Sequence, residues 1–131
     1  MQIIVASDNR STRAAIAMLV RVQPDLELAG EVDDIADLVA KIKATQAPLV
    51  VLDWDALGQR IETLMDLLQL FEEPPSIIAL SVREEARADV HSAGIRNFAH
   101  KGEPPDRLLE TIRNSARARC PDSQTEKGNS I

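Results

Sequence analysis

The 131-residue chain has one cysteine, no tyrosine, one tryptophan and two phenylalanines. A lone cysteine, Cys120, cannot close an internal disulfide, so a reducing cytoplasm is the default expectation. Long hydrophobic runs are also missing. The longest uncharged stretches, such as Ala44–Leu52 and Pro74–Val82, are nine residues each, about half of the roughly 18 a bilayer span requires. The apolar start Ile3–Ala6 is cut short by Asp8 and has no basic region before it, so no secretory leader and no membrane association are expected. Positive charge is in deficit: 15 Lys and Arg against 21 Asp and Glu give a net charge of -6. Such a surface repels phosphate backbones and argues against direct nucleic-acid binding. What remains is ordinary for one globular domain, with 44% hydrophobic and 27% charged residues.

Short apolar runs alternate with helical patterns. Five runs read as strands: Gln2–Ala6, Leu26–Glu31, Leu49–Leu52, Ser76–Leu80 and Arg96–His100. Two of them, Leu49-Val50-Val51-Leu52 and Ile77-Ile78-Ala79-Leu80, are continuously apolar, as befits central strands buried on both faces of a parallel sheet. Between the runs, Ile16, Leu19 and Val20 stripe a first helix, and Ile35, Leu38, Val39 and Ile42 a second, with Asp33 or Asp34 as N-cap. Ile61, Leu64, Met65 and Leu68 stripe a third, stopped by Pro74-Pro75. A fourth near Glu84–Ala93 has little apolar surface and ends at Gly94, and Leu108, Leu109 and Ile112 mark the last. Repeated βα units with right-handed crossovers predict a single doubly wound (βα)5 domain over residues 1–117. Residues 118–131, poor in apolar side chains, are expected to be a disordered tail.

Ligands of an open parallel sheet bind at the carboxyl ends of its strands. There the chain delivers Ser7-Asp8, Asp53, Ser81 and Lys101. Two carboxylates brought close favour a cation between them, and Mg²⁺ suits such oxygen donors. An ammonium and a hydroxyl beside them suit the oxygens of a phosphoryl group.

With those residues in view, residues 1 to about 116 resemble the receiver domain of bacterial two-component response regulators. Ile-Ile-Val-Ala-Ser7-Asp8 resembles its first strand and acidic pair, Val-Val-Leu-Asp53 the strand bearing the phosphoacceptor, and Ile-Ile-Ala-Leu-Ser81 the strand ending in Ser or Thr. Phe98-Ala-His-Lys101 resembles the aromatic switch position and the site lysine, and the tract from Lys101 to Arg113 resembles receivers that precede a helix-turn-helix output domain. The resemblance implies a five-stranded parallel sheet of order 2-1-3-4-5. It makes Asp53 the acceptor, assisted by Ser81 and Lys101, with Mg²⁺ on Asp8, Asp53 and the backbone carbonyl of Asp55. Phe98 becomes a switch side chain, and Asp55 and Arg83 tune dephosphorylation.

The implied partners are a histidine kinase or phosphotransfer protein. An output protein or second copy would bind the face of the fourth helix, fifth strand and last helix. The implied catalysis does not exceed Mg²⁺-dependent self-phosphorylation and autodephosphorylation. Two departures qualify the match: Ser7 replaces one acid of the pair, which predicts weaker Mg²⁺ binding, and Gly102 stands where many receivers have proline. Ser7 also leaves open a pseudo-receiver, an interaction module that phosphate does not switch. A metal-dependent phosphatase with Asp53 as nucleophile is disfavoured, since little chain lies outside the βα units to cover a substrate. Trp54, next to the acceptor, is expected to lie partly exposed beside the metal site.

Overall fold

A computed structural model describes residues 1–119. The strands are β1 (Gln2–Ala6), β2 (Glu27–Val32), β3 (Leu49–Asp53), β4 (Ser76–Ser81) and β5 (Asn97–His100). The helices are α1 (Arg10–Arg21), α2 (Ile35–Thr45), α3 (Trp54–Leu57), α4 (Ile61–Leu68), α5 (Ala86–Ser92) and α6 (Pro105–Arg119), with a 3-10 turn at Gly58–Arg60 joining α3 to α4. All strand pairs are parallel and the order is β2-β1-β3-β4-β5, as expected.

The period of two divides the core cleanly. Ile4, Ala6, Val50, Leu52, Ile77, Ala79 and Phe98 point to one face, where Leu38, Ile42, Leu64 and Val90 bring in α2, α4 and α5. Ile3, Val5, Leu49, Val51, Ile78, Leu80 and Ala99 point to the other, against Ile16 and Val20 of α1 and Leu109 and Ile112 of α6. Every residue of β3 is buried, so this strand carries core on both sides and delivers Asp53 to the centre of the sheet edge. Burying one such Val, Leu or Ile side chain contributes about 1.5–3 kcal/mol.

Local chemistry starts the helices where the stripes predicted. Asn9 caps α1 by accepting from the Thr12 N–H at 3.0 Å, and Asp34 caps α2 by accepting from the Asp37 N–H at 2.7 Å. Gly94, with φ +98°, makes the left-handed turn between α5 and β5 that an L side chain enters only with strain.

Besides one-residue differences at the ends of β3, β4 and β5, three details differ from the sequence reading. β2 is shifted one residue towards Val32, and a register break between Ile3 and Ile4 skips Ala29 of this edge strand. The third helix opens with the extra turn α3, directly at the end of β3. Finally, α6 runs on to Arg119, so residues 118 and 119 are helical, while the rest of the expected tail, with Cys120, lies outside the described residues. Among the described residues no helix is long and apolar enough to cross a membrane.

Candidate functional site

The carboxyl ends of β1, β3, β4 and β5 bring Ser7, Asp53, Ser81 and Lys101 to one edge because adjacent parallel strands run in near register. Ala6 pairs with Leu52, Asp53 with Leu80, and Ser81 with His100. Single backbone bonds extend the ladder past the strand ends, from Ser7 N–H to Val32 O and from Lys101 N–H to Ser81 O.

Asp53 is the centre of the site and only 1% exposed. An isolated buried carboxylate is costly, and here both oxygens are satisfied. The Lys101 ammonium donates to Oδ1 at 2.7 Å and the Ser7 hydroxyl to Oδ2 at 2.7 Å. Ser7, itself fully buried, also accepts from the Asn9 N–H at 3.0 Å, and its carbonyl accepts from the Arg13 guanidinium at 2.8 Å. Arg13 is thus the cation behind β1, and it faces Glu31 of β2 at 3.8 Å.

Asp55 forms a second node. Its Oδ1 accepts from the Ser81 hydroxyl at 2.6 Å and its Oδ2 from the Val82 N–H at 2.9 Å. Lys101 approaches Oδ2 at 3.3 Å, and Arg83 Nε lies 3.9 Å from Oδ1. Partial burial pushes the Asp55 carboxyl up, but the bonds from Ser81, Val82 and Lys101 outweigh it and hold the group below its ordinary value.

Ser7, Asp53, Asp55, Ser81 and Lys101 are therefore brought together, and three details were not read from the sequence. Ser81 is fully buried, bonds to Asp55 rather than Asp53, and accepts from the Arg83 N–H at 2.9 Å. Ser7, read from sequence only as a missing charge, contacts Asp53 directly. Any side chain one residue beyond a strand paired with β3 was a candidate for that contact. Trp54 is buried, contrary to expectation: helix formation immediately after Asp53 turns the indole inward to join the core on that face of the sheet, with Gly58 close against the ring.

Asp8, one residue after Ser7, is exposed and makes no hydrogen bond or ion pair among the described residues. Phe98 is buried on β5, and the Arg87 guanidinium lies 4.6 Å from its ring centroid. Among the described residues, the one group of three acids with ligand atoms within 4.8 Å is Asp33, Asp34 and Asp37. These are exposed around the α2 cap and separate from Asp8, Asp53 and Asp55.

A five-stranded, doubly wound sheet presenting a buried aspartate–lysine pair at its carboxyl edge defines a receiver-like α/β module. Structural comparison makes this specific: the fold is that of response-regulator receiver domains. The signal receiver domain of the response regulator NarL from Mycobacterium tuberculosis superposes with a TM-score of 0.78 at 18% identity, covering 90% of this chain and 97% of that one. The response regulator domain of CheB from Thermotoga maritima gives 0.71 at 20%, covering 88% and 95%. RcsB from Salmonella enterica, solved on promoter rprA with the phosphomimetic BeF3-, gives 0.74 at 18%, covering 90% of this chain and 62% of that protein. No family model and no curated protein matches the sequence.

Proposed function

We propose that this chain is a two-component receiver that accepts a phosphoryl group on Asp53 from a histidine kinase or phosphotransfer protein. The observation carrying this reading is the placement of Asp53: buried at the end of the central strand, with the Lys101 ammonium 2.7 Å away. In the transfer, an Asp53 oxygen attacks phosphorus while the phosphorus–nitrogen bond of the donor phosphohistidine breaks. The leaving electron pair stays on the imidazole. Lys101 offsets charge on the acceptor and on the incoming oxygens.

The donor set fits Mg²⁺ in kind, being all oxygen: the carboxylates of Asp8 and Asp53 and the backbone carbonyl of Asp55. Bound there, the cation supplies the positive charge that lets an anionic donor approach an anionic acceptor. Ser7 contributes a hydroxyl in place of a charge, so binding is weak. The output surface is α5, β5 and α6 around Phe98, for a partner protein or a second copy, and Asp55 with Arg83 sets the rate of phosphate loss. The work is that of a cytoplasmic signalling module.

A second reading, a pseudo-receiver, is favoured by one observation: both Asp53 oxygens already hold donors from the chain itself. Incubation with acetyl phosphate or phosphoramidate and Mg²⁺ separates the two. Intact mass should rise by one phosphoryl group, not in Asp53→Asn and still in Asp55→Asn. No modification with either donor establishes the interaction module instead.

A further inference from the structure

Three donors and one further cation, Arg83 at 3.9 Å from Asp55, converge beside Asp53 from two segments. The Ser81 hydroxyl, the Val82 N–H and the Arg83 guanidinium come from the end of β4, and the Lys101 ammonium from the end of β5. A hydroxyl, a backbone amide and two cations aimed at one point form a receptor for a small oxyanion. The point they share is already filled by the Asp55 carboxylate. We propose that this is a built oxyanion site whose resident anion is Asp55, so that the chain holds the β4–α5 loop and Lys101 in an anion-bound arrangement without any phosphoryl group.

Geometry explains why residue 55 takes this place. β3 and β4 are neighbours, and α3 begins directly after Asp53, which leaves Asp55 in the first helical turn beside the end of β4. The Ser81 hydroxyl has one proton. That proton is committed to Asp55 at 2.6 Å, while the oxygen accepts from the Arg83 N–H at 2.9 Å. Ser81 is fully buried, so no water is at hand to replace either partner. Turning Ser81 towards a group on Asp53 requires breaking its bond to a charged acceptor. Lys101 is shared differently: it lies 2.7 Å from Asp53 and 3.3 Å from Asp55, and so bridges the two carboxylates.

The consequence is regulatory. The loop that precedes α5 is set by an internal carboxylate, and an external oxyanion engages Ser81 and Val82 only by displacing it. This inference does not depend on whether Asp53 is ever phosphorylated.

The test needs no phosphodonor. Amide spectra of wild type, Asp55→Ala and the near-isosteric Asp55→Asn are titrated with inorganic phosphate, with the Val82 and Arg83 amides as reporters. In wild type these signals should stay in place. In Asp55→Ala they should move saturably, with phosphate bound about tenfold or more tighter than in wild type. Adding Ser81→Ala to that variant should abolish the gain. Asp55→Asn, which keeps one acceptor and loses the charge, should shift the Val82 amide before any phosphate is added, and it answers the question if Asp55→Ala fails to fold. The proposal is overturned if wild type binds phosphate at Val82 as tightly as Asp55→Ala does. It is equally overturned if neither variant changes the Val82 signal. Because Asp53 is intact and unmodified throughout, these outcomes are independent of the phosphodonor experiment above.

Discussion

Placing a carboxylate at position 7, by Ser7→Asp, tests how the site balances its charge. The Ser7 Oγ lies 2.7 Å from Asp53 Oδ2 and the residue is fully buried, so a carboxylate built there cannot retreat into water. Two like charges about 4 Å apart repel by about 4 kcal/mol at an effective dielectric near 20. The change also removes a hydrogen bond to a charged acceptor, worth about 1.5–3 kcal/mol. Two cations work against the loss: Lys101, 2.7 Å from the other Asp53 oxygen, and Arg13, 2.8 Å from the Ser7 carbonyl. We expect a net destabilisation of about 3 kcal/mol in the absence of divalent metal. Mg²⁺ at about 100 times its dissociation constant returns about 2.7 kcal/mol by linkage, which nearly closes the gap. Urea unfolding of wild type, Ser7→Asp and the uncharged control Ser7→Asn, each with chelator and with Mg²⁺, measures both terms. Ser7→Asp should be the least stable with chelator and gain most from the metal. Equal losses in Ser7→Asp and Ser7→Asn would refute the electrostatic account, since only the first adds a negative charge and removes the donor to Asp53.

Three further outcomes follow from the same contacts. Lys101→Met strands a buried carboxylate and should cost about 3 kcal/mol in urea unfolding; adding Asp53→Asn should recover most of it, and no recovery would mean Lys101 acts through packing. Arg113 grips the exposed Asp25 through two bonds of 2.9 and 3.0 Å, and its hydrogen bond lowers the Asp25 pKa. A depressed folded pKa gives stability that is present above the unfolded value of about 3.9 and lost as pH falls through the folded one. Wild type should therefore exceed Arg113→Met near neutral pH and converge with it in stronger acid; a gap independent of pH would remove the carboxylate from the explanation. Gly94→Ala, at φ +98°, should lower stability by about 1–2 kcal/mol, and a neutral result in thermal unfolding would show that the turn tolerates a side chain.

The strands that carry the site were legible because they are central. Leu49–Leu52 and Ile77–Leu80 must be apolar on both faces, so the polar residue ending each run marks the functional edge by contrast. β2 lies at the edge, where half-exposed positions blur the alternation, and its boundary was read one residue early. The four residues of α3 are too few to show a helical period, so Trp54 was assigned to a loop and to solvent. The identity of the site residues was readable from strand ends, but their pairings were not. Whether the Ser81 hydroxyl turns to Asp53 or Asp55 depends on a rotamer and on α3 starting without a linker, and neither leaves a pattern in sequence. The Ser7–Asp53 bond was hidden for another reason. Comparison with an acidic pair draws attention to the charge that serine lacks, while the proton it can donate is what the structure uses.

The burial of Trp54 has a practical side. The chain's only indole belongs to the core on one face of the sheet, with Gly58 pressed against the ring. Its fluorescence therefore reads the layer packed around α3 at the end of β3. A blue emission that collisional quenchers reach poorly is the signature of that layer being closed, and a red shift is the signature of its opening. Since Asp53 and Trp54 are covalent neighbours at the junction of β3 and α3, loosening that junction alters the light output. One intrinsic chromophore thus offers an optical report of local opening directly beneath the phosphoacceptor candidate, with no added label.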